Sequence, residues 1–210
     1  MAISTRDFHL LPDVDGLRRL LQALAMLDAI LSPKWQCRYY SFDSRWSEGE
    51  QMSSMRDGCG DGFFALFNAA GCFLKGFAHE APMRDWPGVL DLVPAEFAGC
   101  LEESAFSMED TTFCIWRRYS DESWQRGAIE FPAGGDPDGS ASLLSPLDGR
   151  PENYQAWAED YYERPVPLEA VRQVYANMPL TEKLVQELNP ELTLEDLAAD
   201  LEEIGYPGKW

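Results

Sequence analysis

Basic residues are scarce in this 210-residue chain: 17 Lys and Arg stand against 36 Asp and Glu, a formal net charge of −19. Nucleic acid and anionic membrane are bound by neutralising phosphates with Lys and Arg, so this balance argues against both as partners. A membrane-length hydrophobic run is missing as well. The most apolar stretch, residues 17–31, is too short to span a bilayer and is broken by Arg18, Arg19, Gln22 and Asp28. Arg6, Asp7 and His9 precede any apolar stretch, which is unlike a signal peptide. Five Cys (37, 59, 72, 100 and 114) form no CxxC pair, and Cys72, Cys100 and Cys114 sit in apolar runs. The expectation is free thiols in a reducing compartment and a cytoplasmic protein.

Cofactor motifs are absent in turn. There is no GxxxxGK[ST], and the glycines of residues 58–62 have the wrong spacing for a dinucleotide fingerprint. Asp57 and Asp61 flank those glycines and repel phosphate, so the segment reads as a turn. Zinc needs paired Cys or His ligands, and neither His9 nor His79 has one at that spacing. Residues 136–140 place oxygens at alternate positions as calcium requires. Pro137, the early Gly139 and the missing distal Glu break the pattern, and a surface loop without metal is expected. No cofactor and no metal site is implied. Adjacent acids such as Glu102-Glu103 and Asp121-Glu122 follow from composition alone, and nothing marks a glycosidase pair.

What is present is an ordinary globular composition, 45% apolar and 25% charged, with 12% aromatics and seven Trp. Leucines at 17, 20, 21, 24, 27 and 31 recur at helical spacing, with Asp13 or Asp15 as cap and Arg18, Arg19, Gln22 and Asp28 on the other side. Residues 35–42 read as an aromatic-rich strand, and residues 43–61, rich in Ser, Gly and charge, as a long connection. Residues 63–67 and 72–77 form the clearest hairpin, turning through Asn68 and Gly71. Their near-continuous apolar character predicts central strands covered on both faces. A short helix at 94–102 and strands at 111–118 and 125–131 follow, with Gly127 suggesting an edge or bulge.

Residues 132–150 pack Gly, Pro and Asp into one polar run. Beyond them, helices are expected at 152–163, 168–178, 181–188 and 194–203, the last two capped by Thr181 and Thr193. Segment 151–210 carries 13 acidic residues against 4 basic ones, the densest acidity in the chain. The fold class is therefore α+β: a mostly antiparallel, aromatic-rich sheet, preceded by an amphipathic helix and followed by an acidic helical region. The organisation is a core over 1–131, a connection over 132–150 and a helical region over 151–210 packed on that core as one domain.

Two places draw functional attention. His79 follows the hairpin's second strand and suits proton transfer near neutrality. Glu80, Asp57, Asp61 or Asp110 are the acids available to orient it, and Ser54 or Cys59 the available nucleophiles. His79 and Glu80 are the catalytic candidates. The expected loop over 46–56 offers Trp46, Glu48, Glu50, Met52, Met55 and Arg56 as an adaptable binding surface, or else a short helix packed on the sheet. Seven Trp would also suit a sugar platform, although Trp35, Trp116 and Trp157 lie in core-like patterns.

The strings WSEGEQMSSMRDG (46–58), KGFAHE (75–80) and DTTFCIW (110–116) together resemble a family of small bacterial proteins to which no activity is assigned. That resemblance runs over most of the chain and implies no catalytic or binding residues. In general character the compact acidic chain is similar to immunity proteins of bacterial toxin systems, a likeness of composition with no motif matched. The leading expectation is a non-enzymatic binding protein whose acidic surface engages a basic protein, such as a toxin, by electrostatic steering. The alternatives are a small hydrolase with His79 as acid/base, and a carbohydrate- or small-molecule-binding module.

Overall fold

The computed structural model describes residues 2–84 and 86–208. Helix α1 (Val14–Leu31) begins where the Asp13 carboxylate accepts the Gly16 backbone N–H, satisfying one donor the first turn leaves free. Its leucine stripe is buried, and Ala23, Ala25, Met26, Ala29 and Ile30 are buried too, so its second half is enclosed on every side. Each such leucine contributes about 2 kcal/mol through the apolar surface it removes from water. One expectation fails here: Asp28 lies in the buried half with no exposure at all.

Six strands follow in one sheet of order β1-β2-β3-β4-β5-β6, every neighbouring pair antiparallel. They are β1 (Tyr40–Ser47), β2 (Glu50–Arg56), β3 (Gly62–Asn68), β4 (Gly71–Phe77), β5 (Phe113–Arg118) and the short β6 (Gln125–Arg126). The fold is α+β. As the apolar runs predict, β3 and β4 are central. Phe63, Ala65 and Phe67 face the layer holding α1, and Phe64, Leu66 and Phe73 face a second layer. That second layer is built from Met83, the loop over 86–93, helix α2 (Ala98–Glu102) and the turn Ser104–Phe106. At the β3–β4 turn the Asn68 side chain accepts the N–H groups of Ala70 and Gly71, which fixes the hairpin.

The expected long connection over 43–61 is not a loop. Residues 40–56 form a hairpin turning through Glu48-Gly49, with Gly49 at φ +77°. Its second strand looks polar because the burial of its hydroxyls is satisfied across the strands. Ser53 Oγ donates to Ser41 O at 2.8 Å, and the Ser41 and Ser54 hydroxyls meet at 2.7 Å. Met52 and Met55 point to opposite layers, as strand alternation demands. Upstream, Trp35–Cys37 is a 3-10 turn and not a strand, and Trp35 is exposed. At the other edge the last strand stops at Arg126, because the Gly127 backbone runs against the Gly88 carbonyl where any side chain would collide.

The polar run after residue 132 is also more than a surface loop. Asp138 and Ser140 are buried, and the Asp138 carboxylate accepts the Thr5 hydroxyl and the Ser140 N–H and hydroxyl. Thr112 Oγ1 donates to the Asp138 carbonyl, so the run is pinned to the sheet. Helices α3 (Ser140–Leu144), α4 (Pro151–Tyr162), α5 (Leu168–Tyr175), α6 (Glu182–Leu188) and α7 (Ala198–Ile204) complete the described chain. Thr181 caps α6 through the Leu184 N–H. Thr193 instead pairs reciprocally with Asp196 in a turn, which delays α7 to Ala198. Helix α1 packs on β1, α5, α6 and α7, and one cluster of buried side chains runs from Ile3 to Tyr206.

Candidate functional site

Helix α4 places Tyr154, Trp157 and Tyr161 at positions i, i+3 and i+7, which share one face of a helix. That face meets Tyr39 and Tyr40 at the start of β1. The rings lie close: Tyr39–Trp157 centroids are 4.8 Å apart, Tyr39–Tyr161 5.3 Å, and Trp157–Tyr161 5.1 Å in a stacked pair. Beneath them, buried Asp28 accepts the backbone N–H groups of Tyr39 and Tyr40 and the Tyr154 hydroxyl, each at 2.8 Å. One carboxylate thus ties α1, β1 and α4 together. Burial nonetheless outweighs those hydrogen bonds and pushes its pKa up to about 6.

A pocket of about 350 Å³ opens between Tyr39, Tyr40, Tyr154 and Trp157, Met55, the α3 segment with Ser145 and Pro146, and the turn joining β2 to β3. Its size lies in the range that holds a small ligand or a side chain. Two carboxylates, Asp57 and Asp61, line it, and none of its described lining residues is basic. Asp57 Oδ1 accepts the N–H groups of Cys59, Gly60 and Asp61 at 2.7 to 3.0 Å, so the turn predicted over 58–62 is organised around that carboxylate. Asp61 Oδ1 accepts the His79 backbone N–H at 2.7 Å and pairs with His79 Nδ1 at 2.6 Å. For both acids the second oxygen has no hydrogen-bond partner among the described residues. The Ser145 hydroxyl beside them is buried and likewise unpartnered. The negative potential registers on Tyr39, whose phenol is raised to about 12 by burial and then by Asp57.

His79 is therefore oriented by Asp61 and not by Glu80, whose exposed carboxylate stands 3.9 Å from Nε2. The Asp61 hydrogen bond raises the His79 pKa above its usual value. Asp61 and His79 form the orienting half of a triad. No hydroxyl or thiol is hydrogen-bonded to Nε2 among the described residues. Of the six residues expected on a binding loop, only Met55 lines the aromatic pocket. Trp46 and Met52 pack on the second layer, Glu48 is exposed at the hairpin turn, and Glu50 lines a separate surface hollow. Arg56 lays its guanidinium over the exposed Trp35 ring, 4.2 Å from the centroid. Trp35 is the one indole among the exposed large apolar side chains described, so the described surface offers no pair of such exposed indoles for a sugar platform.

Sequence reasoning missed Asp28, Tyr39, Tyr154 and Trp157. The signal was there for the last two, in the helical spacing of the α4 aromatics. Among the described residues no group of three or more His, Cys, Asp or Glu gathers as a metal site requires, and no helix is long and apolar enough to cross a membrane. No family model, no curated protein and no solved structure matches the chain.

Proposed function

We propose that this is a non-enzymatic binding protein, and that the aromatic pocket receives a cationic side chain of a basic protein partner. The observation that carries the reading is the meeting of four aromatic side chains, Tyr39, Tyr40, Tyr154 and Trp157, with two carboxylates, each with an oxygen unengaged, in a cavity with no basic residue among its described lining. Aromatic faces attract ammonium and guanidinium groups by their quadrupole. Asp57, Asp61 and the Ser145 hydroxyl supply acceptors for the N–H donors of such a group. The −19 charge of the whole chain steers a basic partner toward the surface at long range.

Nona-arginine and nona-lysine peptides, with nona-glutamate as control, test this by isothermal titration calorimetry at low salt. Saturable binding of a cationic peptide is expected, weakened about tenfold or more by the Asp57→Asn, Asp61→Asn double variant. Asparagine retains the acceptor oxygen that each turn uses, so the fold stays intact. Absence of cationic-peptide binding at low salt would overturn the proposal. Binding that is equally tight in the double variant would move it away from this pocket.

A further inference from the structure

The opposite face of the sheet carries a feature that the binding reading does not use. Lys75 sits on the central strand β4 and is only 3% exposed. Its register partner Phe64 packs on the second layer, so the amine points away from α1 and the aromatic pocket. Lys75 Nζ donates to two backbone carbonyls, Ser107 O at 3.1 Å and Asp110 O at 2.6 Å. Both belong to one turn, in which Ser107 adopts a left-handed backbone, φ +45°. A non-glycine residue held there costs on the order of 1 kcal/mol and is sustained by its surroundings. The nearest carboxylate does not neutralise the amine directly, since Asp110 Oδ1 is paired with Arg84 at 2.5 Å.

Two neutral carbonyls and the Phe64 ring, whose centroid lies 5.7 Å from Nζ, are the partners of the amine, and no carboxylate pairs with it among the described residues. Lys75 also lines a cleft of about 370 Å³, together with Arg56, Ser107, Asp110, the rings of Phe64 and Phe77, and the glycine turn over 58–62. We infer that Lys75 is a nucleophilic amine, and that this cleft takes a small aldehyde with an aromatic or apolar substituent, held by the lysine as an imine. The nitrogen lone pair adds to the carbonyl carbon, a proton passes from nitrogen to oxygen, and the resulting carbinolamine loses water to leave the C=N bond. Phe64 and Phe77 supply apolar surface for the substituent.

Burial lowers the Lys75 pKa to about 8, against the opposing pull of Asp110, Glu109 and the cross-strand Cys114. About a tenth of such an amine is neutral at pH 7, against a few parts in ten thousand for an ordinary lysine. The aromatic pocket and this cleft share Met55 and Asp61 in their linings, but cation capture and imine formation are different chemistry, so neither proposal rests on the other.

The chain has only four lysines, so the test is site-resolved without any variant. The intact protein is treated with benzaldehyde and cyanoborohydride at pH 7.5, and the reduced imine is mapped by peptide mass spectrometry. Labelling of Lys75 at least about tenfold faster than of exposed Lys34 and Lys183 is expected, with the excess lost after denaturation. Labelling no faster than at those two lysines would overturn the inference. Faster labelling by glyoxylate than by benzaldehyde would overturn the assignment of the ligand class.

Discussion

Asp28 interrupts the apolar stripe of α1 with a charge, and its burial gives that charge a measurable consequence. Its folded pKa near 6 lies above the unfolded aspartate value near 3.9, so the folded state holds the proton to higher pH than the unfolded chain does. Stability from this residue is therefore greatest at acid pH and falls as pH rises from about 4 through 6, by roughly 3 kcal/mol in all. Asp28→Asn should remove that slope. Its carbonyl oxygen can accept the Tyr39 and Tyr40 N–H groups, and its amide can donate to the Tyr154 oxygen. Asp28→Ala, which strands those three buried groups, should destabilise by about 3 kcal/mol or more at pH 7. Urea unfolding of the wild type and both variants at pH 4.5 and 7 measures this, and parallel slopes for wild type and Asp28→Asn would contradict it. At this scale the sequence was only half legible. His79 stands out as one of two histidines, yet which of four nearby acids orients it depends on how the 57–61 turn folds back. Asp28 looked like part of a polar face because helical periodicity cannot reveal that a second layer of helices covers that face.

Elements were read best where burial left an apolar trace. Strands β3 and β4 were visible as continuous apolar runs, whereas β2 was hidden because Ser53 and Ser54 meet their hydrogen-bonding needs across the strand and leave a polar string. One glycine shows how tightly the recognised part is built. Gly76 faces Phe113 across the β4–β5 ladder, and the ring lies where a Cβ would be. Gly76→Ala should cost about 3 kcal/mol through displacement of that ring in a close-packed core. Gly49→Ala in the β1–β2 turn serves as the contrast. Its Cβ would meet nothing within 4 Å, so only its φ of +77° opposes it, at about 1 kcal/mol. Thermal unfolding of the two variants should place Gly76→Ala well below Gly49→Ala, and the reverse order would contradict the packing.

Across the whole molecule, an excess of acids spread along the chain sets like charges against one another in the compact state. Screening should relieve that repulsion. The midpoint of thermal unfolding is expected to rise by several degrees between about 10 mM and 0.5 M sodium chloride. A midpoint that falls would mean that attractive surface pairs such as Arg45–Glu202 and Arg172–Glu152 outweigh the net repulsion. The same charge bears on the proposed cationic partner, whose binding should weaken over the same salt range while the protein itself grows more stable.

Taken alone, the sequence determined the α+β class, the leading helix, the central hairpin and the overall acidity, because periodicity, turn residues and composition are properties of local chain. Only the tertiary structure decided that Asp28 is buried, that Tyr39 meets α4, that Asp57 and Asp61 share an aromatic pocket, and that Lys75 lies in a cleft on the other face. Those are encounters between segments as far as 126 residues apart, as in the Tyr154–Asp28 hydrogen bond. Their outcome rests on desolvation and packing among distant side chains, which leave no periodic mark in the residues that meet.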